Sequence, residues 1–230
     1  MIKAPFFEFG PKAYMYGEEI LKLAEYADKL AVEFDVDIIL DPQTIDIPVI
    51  AGHCKHIHIF AQHMDGIPVG RGMGALLPEA LKAAGADGTL LNHTERRLSL
   101  TDLELTINRA RELGLMTMVC ADNPAQAVGI AGFSPDSIVV ESPDQIGAGN
   151  RTREDNDAIA RINARIHGID PRIRILHAAG IKTAQDVYNV IAAGSEGSGS
   201  SSGITNAEDP YKMLHDMVEA VRKAWDKRNI

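Results

Sequence analysis

Apolar residues along this chain gather in short runs of strand length, and after nearly every run comes a longer stretch whose apolar positions recur at helical spacing. The runs predict strands over 5–9, 37–40, 56–61, 88–91, 116–120, 137–140 and 174–177, with an eighth in the polar stretch near 196–200. The segments between them predict helices over 17–34, 43–51, 74–84, 101–113, 124–131, 153–166, 183–192 and 210–228. Thr101 followed by Glu104, and Thr183 followed by Asp186, have the spacing of a capping box and a close variant of it. Strict alternation of strand and helix predicts a parallel sheet. Eight such units in 230 residues fit an α/β fold of the closed (β/α)8 type, one domain over 1–230. An open doubly wound sheet more often has fewer units and a glycine-rich turn after its first strand. The eighth unit is the least regular, because Ser195 to Gly203 is a polar serine and glycine run that reads locally as a linker.

Composition changes the picture mainly by exclusion. A hydrophobic fraction of 45% with 24% charged residues belongs to a globular chain that can bury a large core. The formal net charge of -9 argues against nucleic acid or an anionic membrane as partner, since an acidic surface repels both. No run approaches the length of apolar residues a membrane helix needs. Cys54 and Cys120 are the only cysteines, and the start lacks the basic and apolar regions of a signal peptide. A reduced cytoplasmic protein without disulfides is the expectation.

In a barrel of this kind the chemistry sits on the loops after the carboxyl ends of the strands. Those loops bring Lys12 after the first strand, His93 and Glu95 after the fourth and Glu141 after the sixth. Two glycine-containing turns, one with Gly180 and Ile181 and one with Ser202 and Gly203, follow the seventh and eighth strands. Their backbone N–H groups can cradle a phosphate. A second cluster, His53, Cys54, His56, His58 and His63, has the residue types of a zinc site. Its spacing spreads the ligands over both ends of a strand, so no metal is expected.

Several segments resemble the triosephosphate isomerase family, particularly its short archaeal-type form. They are Ala61 to Asp65, Leu77 to Ala80, Gly88 to Arg97 and Glu141 to Gly149, with weaker echoes at Ala179 to Ile181 and Ser202 to Ile204. The resemblance implies a TIM barrel that interconverts an aldose phosphate and a ketose phosphate, glyceraldehyde 3-phosphate and dihydroxyacetone phosphate, through an enediolate. It implies Glu141 as the base and a neutral His93 as the electrophile, its imidazolium disfavoured by a short helical turn over 94–97. Lys12 would supply a fixed positive charge, with Glu95 holding its ammonium. Segment 143–149 would be a water-excluding lid, hinged on Pro143 at one side and on Gly147 and Gly149 at the other. These groups are all side chains or backbone, so no cofactor is expected. The third loop, from Gly70 to Gly74, corresponds to one that in the family reaches into a neighbouring subunit, which implies a homo-oligomer, dimer or tetramer. Two departures stand out: Gly10 where the family has asparagine, and the serine and glycine run in place of an apolar eighth strand. They motivate an alternative substrate such as a tetrulose phosphate. A catalytically silent metabolite-binding barrel is the alternative of a different class, and the joint presence of Lys12, His93 and Glu141 speaks against it.

Overall fold

All eight predicted strands form, and they close in sequence order into a parallel barrel in which each strand pairs with its chain neighbours and the last returns to the first. A computed structural model describes residues 1–148 and 151–229. The order is β1 Phe6–Phe9, α1 Gly17–Phe34, β2 Asp37–Leu40, α2 Ile47–His53, β3 His58–Ala61, α3 Pro78–Ala83, β4 Gly88–Leu91 and α4 Leu100–Leu113. It continues with β5 Met116–Ala121, α5 Pro124–Ala131, β6 Ser137–Val140, α6 Arg153–His167, β7 Arg174–His177, α7 Ala184–Ala192, β8 Gly197–Gly199, α8 Ser202–Thr205 and α9 Pro210–Arg228. Single 3-10 turns lie at Thr44–Asp46 and Pro143–Gln145.

Successive residues of each strand face opposite sides, so two cores result. Phe6, Ile39, Phe60, Met118, Val139 and Leu176 fill the barrel interior. Phe7, Phe9, Ile38 and Leu40 point outward into the larger layer between strands and helices. A fully buried phenylalanine is worth roughly 1.5–3 kcal/mol, and two of them decide the shape of β8 and β4. A Cβ on Gly197 would stand 2.5 Å from the Phe6 ring, and one on Gly88 2.6 Å from the Phe60 ring. The interior is thus filled from β1 and β3 while β8 and β4 recede to make room.

That exchange corrects the reading of Ser195 to Gly203 as a linker. Gly197 and Gly199 pair with Phe6 and Glu8, and the serines beside them are buried and satisfied: Ser198 Oγ donates to His177 O at 3.1 Å and Ser195 Oγ to Gly197 O at 2.6 Å. A strand whose interior face is glycine carries no apolar signature.

Other predicted boundaries also move, and the helix predicted over 43–51 forms as a 3-10 turn at Thr44–Asp46 followed by α2. α4 is capped by Ser99, whose side chain accepts from Asp102 N at 3.1 Å, so Thr101 lies inside the helix and is not its cap. β3 starts at His58 rather than 56, because the N–H groups of Lys55, His56 and Ile57 all donate to Asp28 Oδ1 and are lost to the ladder. α3 starts only at Pro78, since Gly74 takes a positive φ of 82° that ends helical continuity. The Thr183 capping box on α7 forms as predicted, and Thr152 with Asp155 makes another on α6.

Candidate active site

The carboxyl ends of the strands surround a cavity of about 620 Å³ that Lys12, His93 and Glu141 all line. Each is delivered by a distinct local device. Lys12 sits directly after β1 in a left-handed conformation, φ 51°, rare for a residue with a side chain. The conformation is over-determined: its carbonyl accepts from Gln43 Nε2 at 2.7 Å and from Gln62 Nε2 at 2.9 Å. Its ammonium is 2.6 Å from Glu95 Oε1, and that pairing holds the Glu95 carboxyl below its usual range.

His93 follows Asn92, which is also left-handed at φ 60°. Asn92 staples the loop by donating from Nδ2 to Cys120 O at 3.0 Å and accepting at Oδ1 from Leu98 N at 3.0 Å. The predicted helical turn over 94–97 is a single hydrogen-bonded turn, Arg96 N to His93 O at 2.8 Å. Its effect on the imidazole comes from one amide rather than a helix dipole: Glu95 N donates to His93 Nδ1 at 3.1 Å. Nδ1 is therefore the acceptor, and the ring proton sits on Nε2. Burial first, then the charge of Lys12, pushes the His93 pKa down, favouring this neutral form.

Glu141 stands one residue beyond β6, its N–H donating to Ala121 O at 2.9 Å, and its Oε2 is 3.9 Å from His93 Nε2. Burial raises its pKa to about 7, with the charge of Glu8 adding to the effect and Lys12 opposing it. A carboxylate of that basicity is suited to take a proton from carbon near neutral pH.

Gly147 lines the cavity beside Ile146, in the predicted lid, and Lys182 Nζ donates to Ala148 O at 2.9 Å, joining the lid segment to the seventh loop. Gly149 lies outside the described residues. Gly180, with φ 77°, and Ile181 also line the cavity, with Ser201 and Ser202. Ser200 Oγ donates to Ile181 O at 3.0 Å and ties the seventh loop to the eighth. Gly203 sits a step behind the lining: a Cβ there would meet Ser200 Oγ at 2.5 Å and the Lys182 backbone at 3.2 Å, so its bareness lets the two loops close on each other.

The histidines of the second cluster take separate partners. His53 faces Glu25, His58 faces Asp37 and His63 faces Asp65. What sequence reasoning missed is a pair of carboxyls in the cavity floor, Glu8 on β1 and Asp41 just after β2. The alternation of β1 sets Glu8 on the same face as Phe6, but with phenylalanine on both faces it does not say which face meets the cavity.

A parallel barrel whose strand ends join a carboxyl raised toward neutrality, an imidazole and a lysine beside two glycine turns has the architecture of a (β/α)8 enzyme. A sequence model of the family described as triosephosphate isomerase matches residues 11–221. The chain is 41% identical to triosephosphate isomerase of Methanobacterium bryantii, over 89% of this chain and 91% of that one. It is 33% identical to that of Sulfurisphaera tokodaii over 99% and 100% of the two chains, and 34% to that of Methanocaldococcus jannaschii over 89% and 94%. The chain belongs to the triosephosphate isomerase family, and it is an isomerase that interconverts an aldose phosphate and a ketose phosphate.

Proposed function

We propose that Glu141 removes the proton from one carbon beside the substrate carbonyl and returns it to the other. His93 donates from Nε2 to the oxygen that becomes anionic, and Lys12, held by Glu95, balances the enediolate charge. The observation that carries this reading is the buried Glu141 carboxyl, with its pKa near 7, 3.9 Å from an imidazole whose other nitrogen is already occupied by an amide. The backbone N–H groups of Gly180, Ile181, Ser202 and Gly203 take the phosphate. Gly147 lets the lid segment follow the ligand. The proton transfers use side chains alone, so the reaction runs without metal or cofactor.

The names of the relatives favour glyceraldehyde 3-phosphate and dihydroxyacetone phosphate as the pair interconverted. The floor carboxyls Glu8 and Asp41 favour a second reading, a longer phosphosugar such as a tetrulose phosphate. We also infer that 1–230 acts as one domain, supported by β8 closing on β1 and α9 packing on α1 and α7. A homo-oligomer joined through the third loop is supported by Val69, 70% exposed, and the fully exposed Met73. The acidic composition and reduced cysteines suit the cytoplasm.

Replacing Glu141 tests the mechanism. Glu141→Asp withdraws the base by about 1 Å and should lower kcat on the order of 100-fold or more with a much smaller effect on ligand affinity. Exchange of the substrate's carbon-bound hydrogen with solvent should fall in step. Full activity in Glu141→Gln would sink the assignment.

A further inference from the structure

The floor of the cavity holds two carboxyls that the proton transfer does not use. Asp41 is 1% exposed, yet neither of its oxygens has a hydrogen-bond partner among the described residues, and it lines the cavity. Glu8 lies beside it, within hydrogen-bonding reach. Two carboxylates cannot face each other without a proton between them, since each is an acceptor only. Burial and mutual repulsion accordingly push Asp41 well up, and burial raises Glu8. Burying two carboxyls against each other with no donor but the proton they share costs stability, so an isomerase that keeps Asp41 here has a reason in the bound state.

The surroundings have been cleared for this pair. Glu8 Oε1 would stand 2.6 Å from a Cβ on Gly10, with Asp41 Oδ2 and Ser201 Oγ each at 3.6 Å from the same point. Glu8 Oε2 would stand 2.5 Å from a Cβ on Gly199. The glycine at 10 and the glycine at 199 are therefore one adjustment: both give the Glu8 carboxyl its place. It lines the same cavity as the serine turn of the eighth loop and Lys12, whose charge acts on it.

We propose that Glu8 and Asp41 form a subsite for a free hydroxyl of the substrate, on a carbon between the phosphate and the two reacting carbons, which sets the substrate class as phosphosugars of four or more carbons. A phosphate is repelled there. A hydroxyl fits, because it accepts from the carboxyl that holds the shared proton and donates to the one that does not. A triose phosphate has no hydroxyl left to offer, since its third carbon carries the phosphate. The inference rests on the roles of Glu141 and His93 given above.

Steady-state kinetics on glyceraldehyde 3-phosphate and erythrose 4-phosphate with the full chain decide it. The wild type should show the higher kcat/KM on erythrose 4-phosphate. Asp41→Asn should lower the ratio of tetrose to triose kcat/KM by about tenfold or more, because sites built to bond a hydroxyl discriminate strongly by it. Glu8→Gln, which keeps the shape, should move the ratio the same way and serves if the Asp41 variant does not fold. A wild type that prefers the triose, or variants that leave the ratio unchanged, overturns the subsite. Turnover of both substrates by Glu141→Gln would instead overturn the proton-transfer reading, so the two failures are told apart.

Discussion

The pKa of Glu141, raised to about 7 mainly by burial, has a direct consequence for catalysis. A base works only when deprotonated. With the carboxyl lifted from 4.5, kcat/KM should rise with pH up to a midpoint near 7 and fall by about tenfold per unit below it. The substrate's own phosphate, with a second ionisation near 6, adds a further limb at lower pH. A rate profile flat down to pH 5 would refute the assignment. Burial and Lys12 push the His93 pKa down, which favours its neutral form. That Lys12, His93 and Glu141 meet at one cavity was legible in the sequence because a barrel gathers the loops that follow its strands at one face. Glu8 and Asp41 were not. In strands of four residues both faces of β1 are apolar apart from Glu8 itself, so the pattern does not say which face meets the cavity. Asp41, next to Pro42, reads as a turn residue.

At the level of elements, the seventh and eighth loops depend on backbone shape more than on side-chain identity. Gly180 has φ 77°, and a Cβ there would stand 3.1 Å from the backbone nitrogen and the Cβ of Arg151. Arg151 in turn donates to Ala179 O at 3.1 Å and to Asn156 Oδ1 at 2.7 Å, so it is not free to retreat. Gly180→Val should raise KM by about tenfold or more, since a β-branched residue is strained at that φ and would re-aim the amides. Inhibition by inorganic phosphate or phosphoglycolate should weaken in parallel while kcat changes far less. An unaltered KM would remove the turn from the phosphate site. The helices that bear on this wall, α7 and α9, were predicted almost to the residue, since long amphipathic segments carry many repeats of their period. β8 forms within the stretch read for it, yet that stretch also read as a linker, because its interior is supplied by Phe6 and Glu8 from the neighbouring strand.

For the whole molecule, Val69 and Met73 expose apolar surface on a loop that projects from the barrel, and self-association would cover it. Sedimentation equilibrium should give a multiple of 24.9 kDa, and Met73→Asp should shift the mass toward one chain. A monomeric wild type would end that proposal. Among the described residues no helix is long and apolar enough to cross a membrane. The contact of Glu8 with Gly10 and Gly199 also constrains the order in which such a cavity floor can be altered. A side chain at 199 would press on the Glu8 backbone oxygen as well as its carboxyl, at 2.8 and 2.5 Å, and one at 10 would drive that carboxyl off Asp41. Shortening residue 8 first opens the way at 10, whereas enlarging 10 first meets a collision and 199 stays closed by the Glu8 backbone oxygen, so the route between this floor and an asparagine-bearing one is passable in one direction and blocked in the other.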